Sequence, residues 1–194
     1  MKIRFLSIFI FVIAFTLHAQ IPGEKDNRML LPNGWWLSPA GEQIRLGDFP
    51  MNAALSEDEK YLAISHSGES KAEIWLMDLK AKKNLQKIEL PDTWYGIKFV
   101  GRKLYVSGGY QNCVFTFKLI KEKLVKADTI SFAEPHPRYN GSLQGLDVQK
   151  NLLAVVFRND STFRVMDLKS KKQEVLKLDG MPYTCVFLRS ESVV

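Results

Sequence analysis

Met77-Asp78-Leu79-Lys80-Ala81-Lys82-Lys83 and Met166-Asp167-Leu168-Lys169-Ser170-Lys171-Lys172 are one phrase written twice in a 194-residue chain. Each phrase closes an apolar run, Glu73-Ile74-Trp75-Leu76 in the first case and Thr162-Phe163-Arg164-Val165 in the second. Midway between them, Cys113-Val114-Phe115-Thr116-Phe117-Lys118-Leu119 is a third run of the same kind. A second apolar run precedes each of these: Lys60-Tyr61-Leu62-Ala63-Ile64-Ser65, Lys103-Leu104-Tyr105-Val106-Ser107, and Asn151-Leu152-Leu153-Ala154-Val155-Val156. Short runs rich in β-branched and aromatic residues, bounded by polar turn clusters, read as strands.

Working outward, each pair of runs has a leading strand before it and a closing strand after it. The leading strands are expected at 52–55, 96–99, 144–148 and 184–188, and the closing strands at 85–90, 124–132 and 174–178. Four short antiparallel strands per period of about 40–50 residues is the repeat of a β-propeller blade. The middle runs are nearly continuous in apolar character because stacked blades bury both faces of a sheet. The sequence therefore predicts an all-β, incomplete β-propeller of four-stranded antiparallel blades, with three blades plus the start of a fourth. Beyond the first twenty residues no stretch has helical periodicity with caps. Asp78 and Asp167, at the ends of third strands, are expected to accept backbone hydrogen bonds in the hairpins that follow.

Residues 1–19 read as a signal peptide: Lys2 and Arg4 precede an uncharged apolar stretch from Phe5 to Leu17, with Ala19 at a cleavage position. That stretch is short of the ~20 residues a spanning helix needs, so export to the periplasm or medium is expected rather than a membrane span. Residues 20–49 form an N-terminal segment with turns at Pro32-Asn33-Gly34 and Pro39-Ala40-Gly41, and its strand 43–46 is expected to close the last blade; 50–194 are the partial propeller. Removing Lys2 and Arg4 lowers the formal charge from +6 by two, which implies no nucleic-acid partner. Cys113 and Cys185 lie two blades apart and are expected to be small buried hydrophobes rather than a disulfide.

Lys103-Leu104-Tyr105-Val106-Ser107-Gly108-Gly109, preceded by Leu46-Gly47-Asp48-Phe49-Pro50 and Ser56-Glu57-Asp58-Glu59-Lys60-Tyr61-Leu62, resembles the bacterial seven-bladed propeller repeats named for a Tyr-Val-Thr-Asn (YVTN) motif. Leu31-Pro32-Asn33-Gly34-Trp35, Pro39-Ala40-Gly41, Gln43-Ile44 and Leu46-Gly47-Asp48 are similar to the start of secreted proteins in which such a propeller precedes an alkaline-phosphatase-like phosphoesterase domain. The resemblance implies that the chain is a fragment of a longer product. It also implies that any phosphatase metal ligands lie beyond Val194.

Propellers bind ligands at the channel mouth, where loops between second and third strands meet the linkers between blades. The loops contribute His66 and Glu69, then Tyr110 and Asn112, then Arg158 and Asp160. The linkers contribute Trp94 and Tyr95, then His136 and Arg138, then Tyr183. Aromatic, Arg and His residues so gathered suit recognition of a small molecule, a glycan or a protein. No nucleophile elbow, phosphate-cradling loop or metal-ligand spacing is present, so no catalytic residue, metal or cofactor is expected. A partner is also expected at the open blade edges, from missing blades or self-association. Lysines at 80, 82, 83, 121, 123, 169, 171 and 172 crowd the hairpins between third and fourth strands and read as a solvated, aggregation-resistant rim.

Overall fold

The computed structural model describes residues 22–26, 28–69, 71–132 and 142–188. The expected signal peptide and the candidates His136 and Arg138 lie outside these residues. Two compact units divide at Arg45 and Leu46. The first holds a small antiparallel sheet of β1 (Gly23–Lys25), β2 (Arg28–Leu30) and β3 (Trp36–Leu37). Its β2–β3 connection is the expected Pro32–Gly34 turn: Leu31 N–H donates to Trp35 O at 2.8 Å, and Trp35 N–H donates to the Asn33 side chain at 3.1 Å. The expectation of a strand at 43–46 is not met, and the strands of this unit lie earlier in the chain.

The second unit is three four-stranded antiparallel sheets. Blade I comprises β4 (Pro50–Leu55), β5 (Tyr61–Ser67), β6 (Ala72–Asp78) and β7 (Lys83–Leu90). Blade II comprises β8 (Ile97–Val100), β9 (Lys103–Ser107), β10 (Cys113–Ile120) and β11 (Lys123–Ser131). Blade III comprises β12 (Leu143–Gln149), β13 (Leu152–Phe157), β14 (Thr162–Asp167) and β15 (Gln173–Lys177). Each blade is a meander in chain order, as the repeat predicts. No helix among the described residues is long and apolar enough to cross a membrane.

The period-2 alternation of strands explains the packing. In blade II, Leu104, Val106, Phe115 and Phe117 point one way and join Ala63, Ile74 and Leu76 of blade I in one core. Tyr105 and Val114 point the other way and join Leu146, Leu153, Val155 and Phe157 of blade III in a second core. Blade II is thus buried on both faces, which is why its central strands are apolar at most positions and why their polar members Ser107 and Thr116 are buried as well. The hairpin expectation also holds: Asp78 accepts from Ala81 N–H at 2.7 Å, and Asp167 accepts from Lys169 and Ser170 N–H at 2.9 and 2.7 Å. These backbone donors hold the Asp167 carboxyl below the usual carboxylate range.

One expected strand is absent. Residues 184–188, read as the leading strand of a fourth blade, are not in a sheet. They pass alongside β12, where Phe187 N–H donates to Asp147 Oδ2 at 2.8 Å, and they have no partner strand of their own among the described residues.

Candidate functional site

In a meander blade the turns between second and third strands lie at the same end as the linkers between blades, and the lysine hairpins lie at the other. The linker end is built on residues 92–96. The Asp92 carboxylate accepts from Thr93 N–H at 2.8 Å and from Tyr110 N–H at 2.7 Å, clasping the β9–β10 turn onto the linker. Burial nevertheless pushes the Asp92 carboxyl up, the two backbone donors offsetting only part of the desolvation. Gly109 is required in that turn: its φ is +52° and Asp92 occupies the space a Cβ would fill.

Gly96 joins the blades. Its N–H donates to Gln144 O at 2.8 Å and to Ser107 Oγ at 3.0 Å, and a Cβ there would meet Gln144 O at 2.9 Å. One blade earlier, the Asn52 side-chain amide donates to Tyr95 O at 2.9 Å. One blade later, a Cβ on Gly145 would meet Thr184 Cα at 2.5 Å and Tyr183 O at 2.9 Å. Asn52, Gly96 and Gly145 hold equivalent positions at the leading strands of successive blades, and each is approached by the segment that leads into the blade after its own.

This repeated approach sets the surface. It brings the Tyr95 and Tyr183 rings, from linkers far apart in sequence, to a centroid distance of 5.1 Å and an interplanar angle of 53°. Tyr95 is half-buried, while Tyr183 and Tyr110 are exposed. Thr93 Oγ1 and Trp94 Nε1 of the first of these linkers, and Gln144 Oε1 at the start of β12, are buried without hydrogen-bond partners. Such groups are rare in folded proteins.

The other sequence candidates are placed differently. His66 is not in a loop: it lies inside β5, 1% exposed, with its ring 4.8 Å from that of Trp75. Residues 46–49 close over this pair, since a Cβ on Gly47 would meet Trp75 Cζ2 at 2.9 Å and His66 Cδ2 at 3.1 Å. Neither His66 ring nitrogen has a partner at hydrogen-bonding geometry. Burial lowers its basicity, and Glu73, the Ile64 backbone and Asp48 counter this only in part while Lys87 reinforces it. Asn112 is buried in the turn before β10, with φ +50°. Asp160 is engaged within blade III: it accepts from Thr162 Oγ1 at 2.7 Å and pairs with Arg164 at 2.7 Å, whose guanidinium lies 4.2 Å from the Phe157 ring. Arg158 and Glu69 are exposed on their turns. The structure therefore gathers Tyr95 and Tyr183, with Tyr110 held onto the linker by Asp92, and leaves His66 and Asn112 inside the blades.

Among the described residues no group of three or more His, Cys, Asp or Glu side chains is arranged to hold a metal. Cys113 and Cys185 are free thiols, pushed up to about 11 and about 12 by burial. Nothing in the sequence signals the Lys98–Asp147 ion pair at 3.1 Å, which joins the leading strands of blades II and III.

Comparison with solved structures places the architecture. U3-55K matches at a TM-score of 0.57 and 20% identity over 81% of this chain and 45% of its own. The RRP9 WD40 repeats match at 0.56 and 20%, over 69% and 38%. A Lactobacillus plantarum protein matches at 0.57 and 14%, over 78% and 48%. The fold is that of a β-propeller. The chain spans less than half the length of each of these structures. No protein-family model matches the sequence, and neither does any curated protein.

Proposed function

We propose that the chain is an exported β-propeller module that binds a ligand or protein partner through its linker face. The convergence of Tyr95 and Tyr183 carries this reading. Two tyrosines from separate linkers, with Tyr110 on a turn tethered through Asp92 to the linker that carries Tyr95, offer amphipathic contact area at low entropic cost. WD40 repeats among the solved neighbours favour a macromolecular partner, and the hydroxyl-tipped rings also suit the C–H face of a glycan. Export rests on the charge and apolar pattern of residues 1–17.

The test is an array carrying oligosaccharides and peptides, probed with labelled wild type and with a Tyr95→Ala, Tyr183→Ala double variant. Binding to at least one class, lost in the double variant, is expected. Equal binding by both proteins contradicts the reading. Export is checked by mass spectrometry of the recovered protein, which should begin after Ala19.

A second reading makes the chain the accessory N-terminal part of a secreted phosphoesterase. It draws on the resemblance of residues 31–48 to such proteins and on the ordered Pro32–Gly34 turn within them. It predicts phosphatase activity only in a product that carries a catalytic domain beyond Val194.

A further inference from the structure

The hairpin end of the blades carries more cations than acids, and blade II departs from the repeat there. Met77-Asp78-Leu79 of blade I and Met166-Asp167-Leu168 of blade III correspond to Phe117-Lys118-Leu119 of blade II, so a lysine stands where the other blades use a capping aspartate. The residue opposite is Tyr61 in blade I and Leu152 in blade III, but in blade II it is Lys103. Like charges directly opposite in an antiparallel pair are destabilising. Arg102 adds a third cation, its Nε–H donating to Leu119 O at 2.9 Å. Together with Val100, Leu119 and Ile120, these three line a cleft of about 350 Å³ that has no acidic residue in its lining.

The surroundings extend the pattern across all three blades. Lys121, Lys123, Lys171 and Lys172 are exposed on the hairpins and form no ion pair among the described residues. Of the acids at this end, Asp78 and Asp167 accept from their own hairpins, Glu57 from Gly101 N–H and Asp58 from Ser56 Oγ, while Glu59 and Glu122 are exposed. Large apolar side chains stand among the cations: Leu55, Leu79, Ile120 and Leu152, at or beside strand ends, are between 36% and 51% exposed. Cations alone suit any polyanion, but exposed leucine and isoleucine gain only where hydrocarbon covers them.

We infer that the hairpin end of the three blades is a docking surface for an anionic lipid bilayer, with lipid phosphate over Arg102, Lys103 and Lys118 and with Leu79 and Ile120 entering the interface. Charge complementarity identifies the occupant, and the apolar side chains between the cations select a bilayer over a soluble acidic polymer. Bound phosphate offsets the repulsion between Lys103 and Lys118, so the pair is unfavourable in the free protein and favourable in the docked one. The tyrosines lie at the opposite end of the blades, so a docked module presents them away from the lipid, and either reading can fail without the other.

Vesicle flotation with the 194-residue chain tests this. Vesicles of phosphatidylcholine with about one-third phosphatidylglycerol should carry at least ~10-fold more protein than vesicles of phosphatidylcholine alone, and added salt should reduce the difference. Lys118→Glu should lose that preference while its urea midpoint stays level or rises, because an opposite-charge pair with Lys103 replaces a like-charge one. A Leu79→Ser, Ile120→Ser double variant should keep the preference at low salt and lose the binding that persists at high salt. Far-ultraviolet circular dichroism checks that the variants keep their strands. Equal flotation with the two kinds of vesicle overturns the inference. So does equal flotation of Lys118→Glu and wild type, the outcome if the apolar stretch 5–17 holds the lipid, and so does a double variant that floats at high salt as wild type does. Lysine-dependent retention on heparin without flotation overturns it by making a soluble polyanion the occupant. Tyr183→Ala should float as wild type does, and its failure to do so overturns the assignment to the hairpin end.

Discussion

At the residue scale, His66 and the leading-strand glycines define what the fold demands of single positions. His66 is buried against Trp75 beneath Gly47, so its neutral form is the one the native state holds. Its basicity is lowered from 6.5 by burial, so the unfolded chain binds the proton more readily. The stability that neutral His66 contributes is fully present above about pH 6.5, and it is lost as pH falls below that value through the lower folded one. Urea midpoints between pH 7.5 and 5 should fall for wild type, with a slope of at most about 1.4 kcal/mol per pH unit from this group, and His66→Phe should flatten that part of the curve. An identical slope in the variant contradicts the assignment. Gly96→Ala forces a Cβ against Gln144 O and Leu146 and should cost about 1–3 kcal/mol in urea unfolding. Of these features, Gly96 and Gly145 were legible only as leading-strand positions, because the segment that approaches each comes from a distant part of the chain. The place of His66 was misread for a related reason: nothing local distinguishes the last residues of a strand from the first of a loop.

Elements were more readable, because their signals are local. The Met-Asp-Leu-Lys phrase marks where a third strand ends and its Asp begins to cap a hairpin, and both hairpins form as their sequence predicts. Asp167 accepts from Lys169 and Ser170 N–H, which hold its carboxyl below the usual range, while Asp78 accepts from Ala81 N–H. Asp167→Ala should therefore lower the urea midpoint more than Asp78→Ala, and the difference should vanish under acid conditions that protonate the carboxyl. Residues 184–188 show the limit of such reading: their sequence is strand-like, yet a strand is a relation between two segments, and the described residues supply only one. Asp147→Ala removes the acceptor for Phe187 N–H and the partner of Lys98. It should accelerate amide exchange at Phe187 while leaving β9 and β10 unchanged, and equal exchange in variant and wild type would remove the anchor from the account.

On the scale of the whole molecule, the stacking of blades was visible in the sequence as a repeat, since a run that is apolar without alternation needs cover on both faces. Which residues meet across the linker end was not visible, because Tyr95 and Tyr183 are brought together by the cumulative turn of two blades. The same stacking makes stability uneven along the chain. Blade II is enclosed by its neighbours, β15 is exposed along its length, and 184–188 pair with no strand among the described residues. Native-state hydrogen exchange of the 194-residue chain, resolved by peptide mass spectrometry, reads this gradient directly. The stacked-blade account predicts the slowest exchange in β9 and β10, intermediate rates in β5, β6, β13 and β14, and rapid exchange in β15 and 184–188. Exchange in β9 and β10 as fast as in β15, or a uniform rate along the chain, would contradict it.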